Sequence, residues 1–480
     1  MNKRTYINKL SEKRGETVTI CGWINVWRDQ GKMIFLDFRD ATGVVQGVIL
    51  PNSSIIEIGK KLREEFVVEV EGKVNVRPDR NKKIGALNGD IELEITNIKI
   101  LNESMILPFP INGDTREVNE SVRLKHRYLD LRSSRMHKNI INRFKVQSFI
   151  RNYLEENQFL EIETPLLSAP TPEGSRSYIV PSRIWKGNFY SLPQSPQQYK
   201  QLLMVSGFEK YFQFARCLRD EDNRGDRQPE FTQLDMEMAF VTEEEIMQLN
   251  ENLLIEIIKK YYPDKKIQQT PFPRISYNDA MEKYGNDRPD LRNDKNDENL
   301  LSFVWVVDFP MFEKTGEDNV DGTGEWTFGH NPFSKPKDEY FEKFMKKEKI
   351  KEIISTQYDI VLNGFEIGGG SIRNHKSSAL KNTFEIMGYD NDKIKNNFGH
   401  MLTALDFGAP PHGGIAWGFD RLMMILEQEP NIREVIAFSK TGDGKDLMIN
   451  APALISEKQI LELGINVIKK NENDINNRGE

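Results

Sequence analysis

A charge-dense segment in the middle of the chain, followed by an alternating run, constrains the fold more than any other part of the sequence. From Phe214 to Phe240 it reads F-A-R-C-L-R-D-E-D-N-R-G-D-R-Q-P-E-F-T-Q-L-D-M-E-M-A-F. Polar and apolar residues alternate from Phe231 to Met238, and this period of two predicts a strand with one buried face. The whole segment predicts a strand, a loop and a second strand. Its charges form either a solvated hairpin or a surface that binds a polyanion with a flat ring.

The length and the composition of the chain predict a protein of two or three domains. Its 480 residues are too many for one hydrophobic core. With 38% hydrophobic and 29% charged residues, it has the composition of a soluble protein. There is no run of about 18 apolar residues, and the N-terminus lacks the apolar core of a secretory signal. We therefore expect no membrane span and a cytoplasmic location.

Several common ligand sites are absent from the sequence. Cys21 and Cys217 are far apart, and the six histidines show no pair at metal-ligand spacing, so no disulfide framework or zinc site is expected. The chain also has neither a P-loop nor a dinucleotide-binding glycine motif. A nucleotide would therefore be held by side chains on a sheet. Arginine suits this role because its guanidinium pairs bidentately with phosphate and keeps its charge.

The charge distribution leaves open whether the chain binds nucleic acid. The net charge is −7, but global charge is a weak guide where charge is locally segregated. The segment from Val122 to Lys138 contains six Lys or Arg residues and one acid, Asp130. This segment is either a basic contact surface or an ordinary solvated face.

Residues 1–104 are predicted to form an all-β module. Several short runs keep a period of two and are separated by glycines, which predicts a small barrel of the OB-fold type. These runs include Val68, Val70, Val74 and Val76, then Ile91, Leu93 and Ile95, and also Ile34, Leu36 and Phe38. Phe35 must then point to the opposite, polar face. It is either a platform on which a base stacks or an ordinary surface residue.

A Pro- and Gly-rich segment separates this module from the rest of the chain. L-P-F-P-I-N-G-D (107–114) predicts a linker, which we place at residues 105–120. A helix is expected next, because apolar residues recur at helical spacing at Val146, Phe149, Ile150, Tyr153 and Leu154. Helices and strands then alternate irregularly from residue 121 to residue 480.

Three motifs in this second part resemble, in order, the signatures of class II aminoacyl-tRNA synthetases in the form found in bacterial-type aspartyl-tRNA synthetases. The first is F-L-E-I-E-T-P-L-L (Phe159–Leu167), and the second is R-D-E-D with R-Q-P-E-F-T-Q-L-D, which begins at Arg219. The third is G-G-I-A-W-G-F-D-R-L (Gly413–Leu422). Family strings also begin at Thr171 (T-P-E-G), Leu192 (L-P-Q-S-P-Q-Q-Y-K-Q) and Gly364 (G-F-E-I-G-G-G-S-I-R). The resemblance covers nearly the whole chain.

The resemblance implies an α+β protein. Residues 1–104 would be an OB-fold barrel that binds the anticodon, and residues 121–480 a class II catalytic domain with an antiparallel sheet flanked by helices. The implied activity is that of an aspartate–tRNA ligase, which forms aspartyl-adenylate from L-aspartate and ATP and transfers the aspartate to tRNA-Asp. Whether tRNA-Asn is also charged stays open. The family also implies Mg²⁺ with ATP, and a homodimer that forms through the first motif.

The resemblance assigns the nucleotide site residue by residue. Arg219 would contact the α-phosphate, Arg421 the γ-phosphate, and Phe231 would stack on adenine. Glu221 would accept from the adenine amino group, and Asp359 with Glu366 would hold Mg²⁺. Arg219, Glu366 and Arg421 are the implied catalytic residues. The complete implied ATP site is Arg219, Asp220, Glu221, Gln228, Phe231, Glu366, Gly418, Phe419, Asp420 and Arg421.

The resemblance also implies the other two binding sites. Arg373 and Lys200 would hold the side-chain carboxylate of aspartate; the alternative for Arg373 is an internal salt bridge on a sheet. The complete implied aspartate site is Glu173, Ser195, Gln197, Lys200, Arg219, Gln233, Asp235, His330 and Arg373. The implied anticodon contacts are Arg28, Phe35 and Gln46.

The sequence departs from the family in two places. P-D-L-R (Pro289–Arg292) leads within about a dozen residues to F-V-W-V-V-D-F-P, so the large inserted domain of bacterial relatives is reduced to the region near residues 270–302. His330 is followed by Asn331, where the family usually has a second histidine. The first departure removes tRNA contacts, and the second weakens the prediction of how this flank orders around aspartate.

Three other interpretations match the sequence less well. An amide-forming asparagine synthetase has a related core but lacks an anticodon barrel. Asparaginyl- and lysyl-tRNA synthetases share the layout, although Arg373 with Lys200 favours an acidic substrate. A non-enzymatic RNA-binding descendant would be expected to have lost Arg219, Glu366 or Arg421.

Overall fold

The computed structural model describes residues 4–170, 175–222, 225–316 and 324–467. The chain forms two compact units, Met1–Val118 and Asn119–Glu480. The division falls inside the segment 105–120 that we predicted as a linker. The exact domain bounds stay a prediction.

The first unit is a closed five-stranded barrel with the strand order β1-β2-β3-β5-β4, which confirms the predicted OB-fold. Ile34, Leu36 and Phe38 point inward and are at most 1% exposed. The predicted period of two fails at one position: Val76, the last residue of its strand, is 54% exposed. The elements are β1 (Thr17–Asp29), β2 (Ile34–Asp40), β3 (Gly43–Ile49), α1 (Ile56–Lys61), β4 (Val67–Val76) and β5 (Ile91–Asn102).

The second unit contains the remaining helices and strands. Up to the charge-dense segment they are α2 (Glu120–Lys125), α3 (Arg127–Asp130), α4 (Ser134–Glu156), β6 (Leu160–Glu161), β7 (Ile179–Pro181), β8 (Phe189–Ser191) and α5 (Gln197–Val205). The next group is β9 (Lys210–Leu218), β10 (Glu230–Ala239), α6 (Glu243–Tyr261), β11 (Lys266–Ile267), β12 (Arg274–Ser276), α7 (Tyr277–Tyr284), β13 (Leu300–Leu301) and β14 (Phe303–Val307). The last group is β15 (Phe312–Lys314), β16 (Trp326–Phe328), α8 (Phe341–Lys346), β17 (Gln357–Leu362), β18 (Phe365–Ile372), α9 (Ser377–Ile386), α10 (Asn391–Asp406), β19 (His412–Gly418), α11 (Phe419–Leu426) and α12 (Glu457–Leu463).

Eight strands form one large sheet in the order β12-β14-β17-β18-β19-β10-β9-β6. The six inner strands are antiparallel to one another, as predicted. The two edge strands differ from this prediction, because β12 runs parallel to β14 and β6 runs parallel to β9. The sheet is therefore mixed at its edges.

One face of this sheet packs on helices and forms the main core. Leu234 and Met236 of β10 and Ile415 and Trp417 of β19 are at most 1% exposed. They pack in one cluster with residues of α4, α6 and α11. Because side chains alternate along a strand, the residues between them must lie on the opposite face.

Part of the basic segment from Val122 to Lys138 is buried in the fold. Arg123 and Arg127 are buried and both contact Asp130, at 3.3 and 2.7 Å. Arg123 also contacts Glu434 at 2.9 Å, more than 300 residues away in the chain. These arginines join α2 and α3 to the segment that follows α11.

In the described ranges, no helix combines the length and hydropathy needed to cross a bilayer.

Candidate active site

The strand register brings polar and small residues from five strands onto the open face of the sheet. Asp235 of β10 is opposite Gln213 of β9 on one side and opposite Ala416 of β19 on the other. Ala416 is opposite Gly369 of β18, and Gly369 is opposite Asp359 of β17. Directly opposed residues share a face, so these five residues form a row across the sheet.

Residues with little or no side chain form the floor of this face. A Cβ atom at Gly369 would lie 2.7 Å from Asp359 Oδ1, and a Cβ atom at Gly414 would lie 2.1 Å from Glu237 Oε2. No real Cβ makes contacts this short. The glycines of the third family string and of the third motif therefore leave room for two carboxylates.

A cavity of about 220 Å³ opens on this side of the sheet, with Ala416 of the row in its lining. Eight of the ten residues that we predicted for ATP line it, together with Gln233. These eight are Arg219, Glu221, Gln228, Phe231, Glu366, Gly418, Asp420 and Arg421. The cavity is also lined by Asp222, Asp226 and Arg227, which we did not predict.

Asp220 and Phe419 are the two predicted ATP residues that do not line the cavity. Asp220 is exposed, and its amide donates to Arg176 O at 2.9 Å. The Phe419 ring is fully buried in the core and meets the Phe214 ring edge-on at 5.3 Å. The side chain of Phe419 therefore contributes to packing beneath the site, because its neighbours Gly418 and Asp420 face the other way.

The Arg219 guanidinium lies beside an aromatic ring and is placed to bind an anionic ligand. Its guanidinium carbon lies 5.2 Å from the centre of the Phe231 ring. Its Nε is buried and has no hydrogen-bond partner among the described residues. Leaving a buried charged donor unpaired is costly, so the geometry favours a ligand acceptor at this position.

Arg421 of the third motif also lines the cavity, and two residues outside that motif hold its guanidinium. Its Nη2 donates to Asp226 Oδ2 at 3.1 Å, and its Nη1 donates to the backbone carbonyl of Glu366. The neighbouring Asp420 accepts from the Thr232 amide at 2.8 Å. These bonds fix the start of α11 against β10 and β18.

Asp359 and Glu366 form a pair of neighbouring carboxylates that suits a divalent cation. Burial raises the pKa of Asp359 well above its ordinary value, and the Glu366 carboxylate raises it further. No cluster of three or more possible metal ligands occurs in the described part of the chain. The pair therefore fits a cation whose remaining ligands come from a phosphate substrate, as is common for Mg²⁺.

A second group of side chains next to this row is strongly charged and buried. Lys200 Nζ lies 2.5 Å from Asp235 Oδ1 and 3.2 Å from Glu237 Oε2. Arg373 donates from Nε to Glu237 Oε1 at 2.9 Å and from Nη2 to Oε2 at 3.2 Å. The internal salt bridge that we considered for Arg373 is therefore present, with Glu237 as its partner.

The pKa values of the two carboxylates of this charged group shift in opposite directions. Burial alone would raise the pKa of Glu237, but Arg373 and Lys200 outweigh it and lower the pKa to about 2. Burial raises the pKa of Asp235 although Lys200 opposes the shift. Asp235 Oδ2 has no hydrogen-bond partner within the described residues, so it is available to accept from a ligand.

Of the other residues predicted for aspartate, all but one lie within the described ranges. Gln197 is buried and donates to Gln201 Oε1 at 3.1 Å, and Ser195 Oγ accepts from the Gln197 amide at 3.3 Å. The His330 ring lies close to Gly369, where a Cβ would be 3.3 Å from it, and the residue is exposed. Glu173 lies outside the described residues.

The predicted anticodon residues share the outer face of the barrel. Arg28 is opposite Phe35 on β1 and β2, and Gln46 is opposite Asp37 on β3 and β2. Arg28 Nη2 lies 3.4 Å from Asp37 Oδ2. Phe35 points outward, as predicted from the alternation, and is partly exposed.

Sequence reasoning missed Glu237 as a site residue. The signal was present, because the alternation from Phe231 to Met238 places Glu237 on the same face as Gln233 and Asp235. Its partners could not be predicted, since Arg373 is 136 positions away in the chain.

Two family models match the chain. The model for class II tRNA synthetases (D, K and N) matches residues 119–442, and the model for the OB-fold nucleic acid binding domain matches residues 18–101. The two matches correspond to the second and the first compact unit.

Curated relatives are similar over nearly their full length. An aspartate–tRNA(Asp/Asn) ligase of Thermoanaerobacter sp. is 39% identical, with 94% of this chain and 95% of that protein covered. An aspartate–tRNA ligase of Deinococcus deserti is 36% identical, with 98% of this chain and all of that protein covered. The first alignment spans 577 positions, against 480 residues in this chain. That relative therefore carries residues with no counterpart here.

Solved structures share the fold. Asparaginyl-tRNA synthetase of Pyrococcus horikoshii, complexed with asparaginyl-adenylate, matches with a TM-score of 0.73 at 22% identity, covering 92% of this chain and 99% of that one. A putative aspartyl-tRNA synthetase of Leishmania major matches with a TM-score of 0.72 at 21% identity, covering 92% and 94%.

Enzymes of this class use ATP and divalent metal ions. Given the family match over more than half of its length and the full-length relatives, the chain belongs to the class II aminoacyl-tRNA synthetases, in the aspartate–tRNA ligase family.

Proposed function

We propose that the chain activates L-aspartate with ATP and Mg²⁺ and transfers it to tRNA-Asp in the cytoplasm. The observation that carries the substrate assignment is a pair of buried cations, Lys200 and Arg373, that both contact Glu237. Asp235 and Glu237 already balance the two charges within the protein. The cations would therefore bind the side-chain carboxylate of a substrate through charge-assisted hydrogen bonds, which a lysine side chain could not accept.

The residues of the cavity would position ATP for attack by the aspartate α-carboxylate on the α-phosphorus. Phe231 would stack on adenine, and Arg219 would pair with the α-phosphate. Arg421 would pair with the γ-phosphate, and Glu221, Gln228 and Gly418 would line the rest of the nucleotide site. Charge grows on the phosphate oxygens as pyrophosphate leaves. Fixed donors aimed at that charge commonly contribute several kcal/mol.

Asp359 and Glu366 would hold Mg²⁺ at the phosphates. When bound, Mg²⁺ neutralises phosphate charge and orients the leaving group. The two carboxylates need only accept the ion, because ATP brings the other oxygen ligands.

Aspartate would bind beside the charged group, and its ammonium group would contact polar residues nearby. Asp235 Oδ2 is an unpaired buried acceptor suited to that ammonium, and Gln197, Ser195 and Gln233 would assist, with Glu173 from outside the described ranges. His330 would act at the flank that faces Asp359. The 3′-terminal ribose hydroxyl of tRNA then attacks the mixed anhydride, a step accelerated mainly by positioning.

The barrel would recognise the anticodon through Phe35, with Arg28 and Gln46 on the same face. Stacking on an aromatic residue suits an unpaired base. Several relatives, among them those of Thermoanaerobacter sp. and Dehalococcoides mccartyi, are named as ligases for both tRNA-Asp and tRNA-Asn. We therefore propose tRNA-Asn as a second substrate.

We also propose that the enzyme is a homodimer that forms through the first motif. Leu160, Leu166 and Leu167 of that motif are each about half exposed, between 50 and 53%. They follow α4 and lie at β6, the edge strand of the large sheet. A symmetric interface there would cover these leucines.

The decisive experiment is aminoacylation of separately purified tRNA-Asp and tRNA-Asn with labelled aspartate. Charging of both supports the proposal in full. Charging of tRNA-Asp alone removes the second substrate, and charging of neither, with active pyrophosphate exchange, would show that the barrel does not recognise these tRNAs.

A further inference from the structure

A second cavity, of about 300 Å³, is lined by one face of α5. Gln198, Tyr199 and Leu202 of this helix line it, whereas Lys200 contacts Asp235 of the sheet. At about 3.6 residues per turn, Lys200 lies on nearly the opposite side of the helix from Gln198 and Leu202. The cavity is therefore separate from the charged group proposed for aspartate.

The lining of this cavity is uncharged. Among the described residues that form it there is no Asp, Glu, Lys or Arg, and its imidazole belongs to His400. Partial removal from water lowers the pKa of His400, so this imidazole is neutral at neutral pH. The nucleotide cavity, by contrast, is lined by Arg219, Arg227 and Arg421. Because burying a charged ligand without a partner is costly, the second cavity suits an uncharged ligand.

Gln198 leaves a buried donor at this cavity. The residue is 6% exposed, and its Nε2 is buried without a hydrogen-bond partner in the described part of the chain. Its Oε1 lies 2.6 Å from His400 Nε2. Since an amide oxygen can only accept, His400 donates this bond and orients the amide of Gln198. An unpaired buried N–H is costly, so the geometry favours a ligand that brings an acceptor.

The helix α10 and the segment before α5 complete the lining. Asn396, Asn397 and His400 come from one face of α10, since residues three and four positions apart are neighbours on a helix. Each asparagine amide offers donors and an acceptor. Leu192 and Pro193 add apolar surface. The cavity therefore combines amide groups with apolar walls.

A nucleobase has the chemistry that this lining matches. Its edge carries neighbouring donors and acceptors, and its flat faces stack on aromatic and apolar side chains. We propose that the cavity between α5 and α10 is a binding site for a nucleobase, which accepts from Gln198 Nε2 and packs against Tyr199, Leu192 and Pro193. Any attached phosphate stays outside, because the lining holds no Lys or Arg.

The base has two possible sources. It belongs either to a free nucleoside or to an unpaired nucleotide of the RNA substrate, and the second source rests on the proposed function. Both sources present the same flat, uncharged group to the cavity. The experiment therefore has one arm for each.

Two substitutions test the cavity without altering a residue assigned to ATP, Mg²⁺ or aspartate. Gln198→Leu removes the donor and keeps most of the side-chain volume, and Leu202→Trp fills the cavity. Gln248→Leu, at an exposed position of α6, is the matched control for the loss of an amide. Aspartate-dependent pyrophosphate exchange should stay within about twofold of wild type in all three variants, because none of these residues lines the nucleotide cavity.

The first arm is equilibrium dialysis of the full chain with labelled adenosine, guanosine, cytidine and uridine. Saturating ATP and Mg²⁺ are present, so that the nucleotide cavity is occupied. Wild type and Gln248→Leu should bind at least one of the nucleosides. Gln198→Leu should weaken this binding by about three- to tenfold, and Leu202→Trp should abolish it.

The second arm is the KM for tRNA-Asp in the charging reaction. If the base belongs to the RNA, Gln198→Leu should raise this KM by about three- to tenfold and Leu202→Trp by about tenfold or more, with exchange unchanged. If the variants lose nucleoside binding and keep the wild-type KM, the base comes from a free nucleoside. Should one variant fail to fold, the other decides.

The proposal is overturned if neither nucleoside binding nor the KM for tRNA-Asp responds to the two substitutions. It is also overturned if no nucleoside binds and charging falls only in proportion to exchange, since the variants would then act through α5 and its Lys200. Wild-type enzyme that shows no exchange with aspartate overturns the proposed function instead, and the dialysis alone then decides about the cavity.

Discussion

Gly369 and Asp359 are directly opposed on neighbouring strands, and a methyl group at position 369 would lie 2.7 Å from Asp359 Oδ1. The same methyl group would lie 3.3 Å from the His330 ring. The missing side chain therefore leaves open the carboxylate that we assign to Mg²⁺.

Gly369→Ala should lower pyrophosphate exchange by roughly 10- to 100-fold, because displacing a ligand of the phosphates misplaces the reacting groups. The measurement is exchange across a range of Mg²⁺ concentrations, where the variant should need more Mg²⁺. Gly442→Ala is the control, since a Cβ there meets no atom within 4 Å. An unchanged Mg²⁺ dependence in Gly369→Ala would contradict the assignment.

Phe35→Ala should weaken tRNA charging and leave aspartate-dependent pyrophosphate exchange nearly intact. Losing one stacked base costs roughly 1–3 kcal/mol. The measurement is the KM for tRNA beside the exchange rate. Val76→Ala, at an exposed position of the same barrel, should change neither quantity. Equal losses in both assays would identify Phe35 as a folding residue.

Arg373→Lys should lose activity with aspartate although it keeps the charge. A lysine cannot span both oxygens of Glu237 and also reach Ser371. Exchange should be measured with aspartate, asparagine, glutamate and lysine, and wild type should favour aspartate over asparagine by about a thousandfold or more. The surface substitution Arg274→Lys serves as control. Equal exchange with asparagine or lysine would refute the aspartate assignment.

The chain should sediment at micromolar concentration as a dimer of the 55.7 kDa subunit. Leu166→Arg should shift it toward the monomer, because it places a charge in the proposed apolar interface. Phe407→Arg is the matched control, at a position that is 83% exposed and outside the first motif. A fully active wild-type monomer would rule out the proposed assembly.

Glu243 should make stability fall as pH rises toward neutrality. Burial raises its pKa to about 7; Lys337 and Lys335 oppose the shift, and Asp308 and Asp338 add to it. Between its ordinary pKa and this value, the folded state holds a proton that the unfolded state has lost. Its contribution is therefore fully present at low pH and lost as pH rises through about 7, by roughly 1–3 kcal/mol.

Glu243→Gln should remove this part of the pH dependence. Thermal unfolding of wild type and variant at about pH 5 and about pH 8 measures it. The adjacent, exposed Glu244 provides the control Glu244→Gln. If the variant keeps the wild-type difference in Tm between the two pH values, Glu243 is not the titrating group.

Most of the fold could be predicted from local patterns in the sequence. Period-two alternation identified the inward residues Ile34, Leu36 and Phe38, and the outward position of Phe35. Helical spacing identified the buried Val146, Ile150 and Leu154 of α4. These predictions succeed because the backbone geometry of a strand or a helix fixes the direction of each side chain within a few residues.

Long-range pairing could not be predicted in this way. The basic segment from Val122 to Lys138 gave no sign that Arg123 would be buried against Glu434. The parallel pairing of the edge strand β6 with β9 was missed for the same reason. Such contacts depend on which strands and helices become neighbours in space.

The sequence by itself determined the family, the two-part organisation and the polar identity of the open sheet face, because motifs or short periodic runs indicate each of these features. Only the tertiary structure decided that Arg373 is paired with Glu237, that Gly414 provides the space for that pair, and that Phe419 packs in the core. These facts depend on the register of β10, β18 and β19, which brings together residues more than a hundred positions apart. A register is set by the packing of a whole sheet face, so no local pattern contains it.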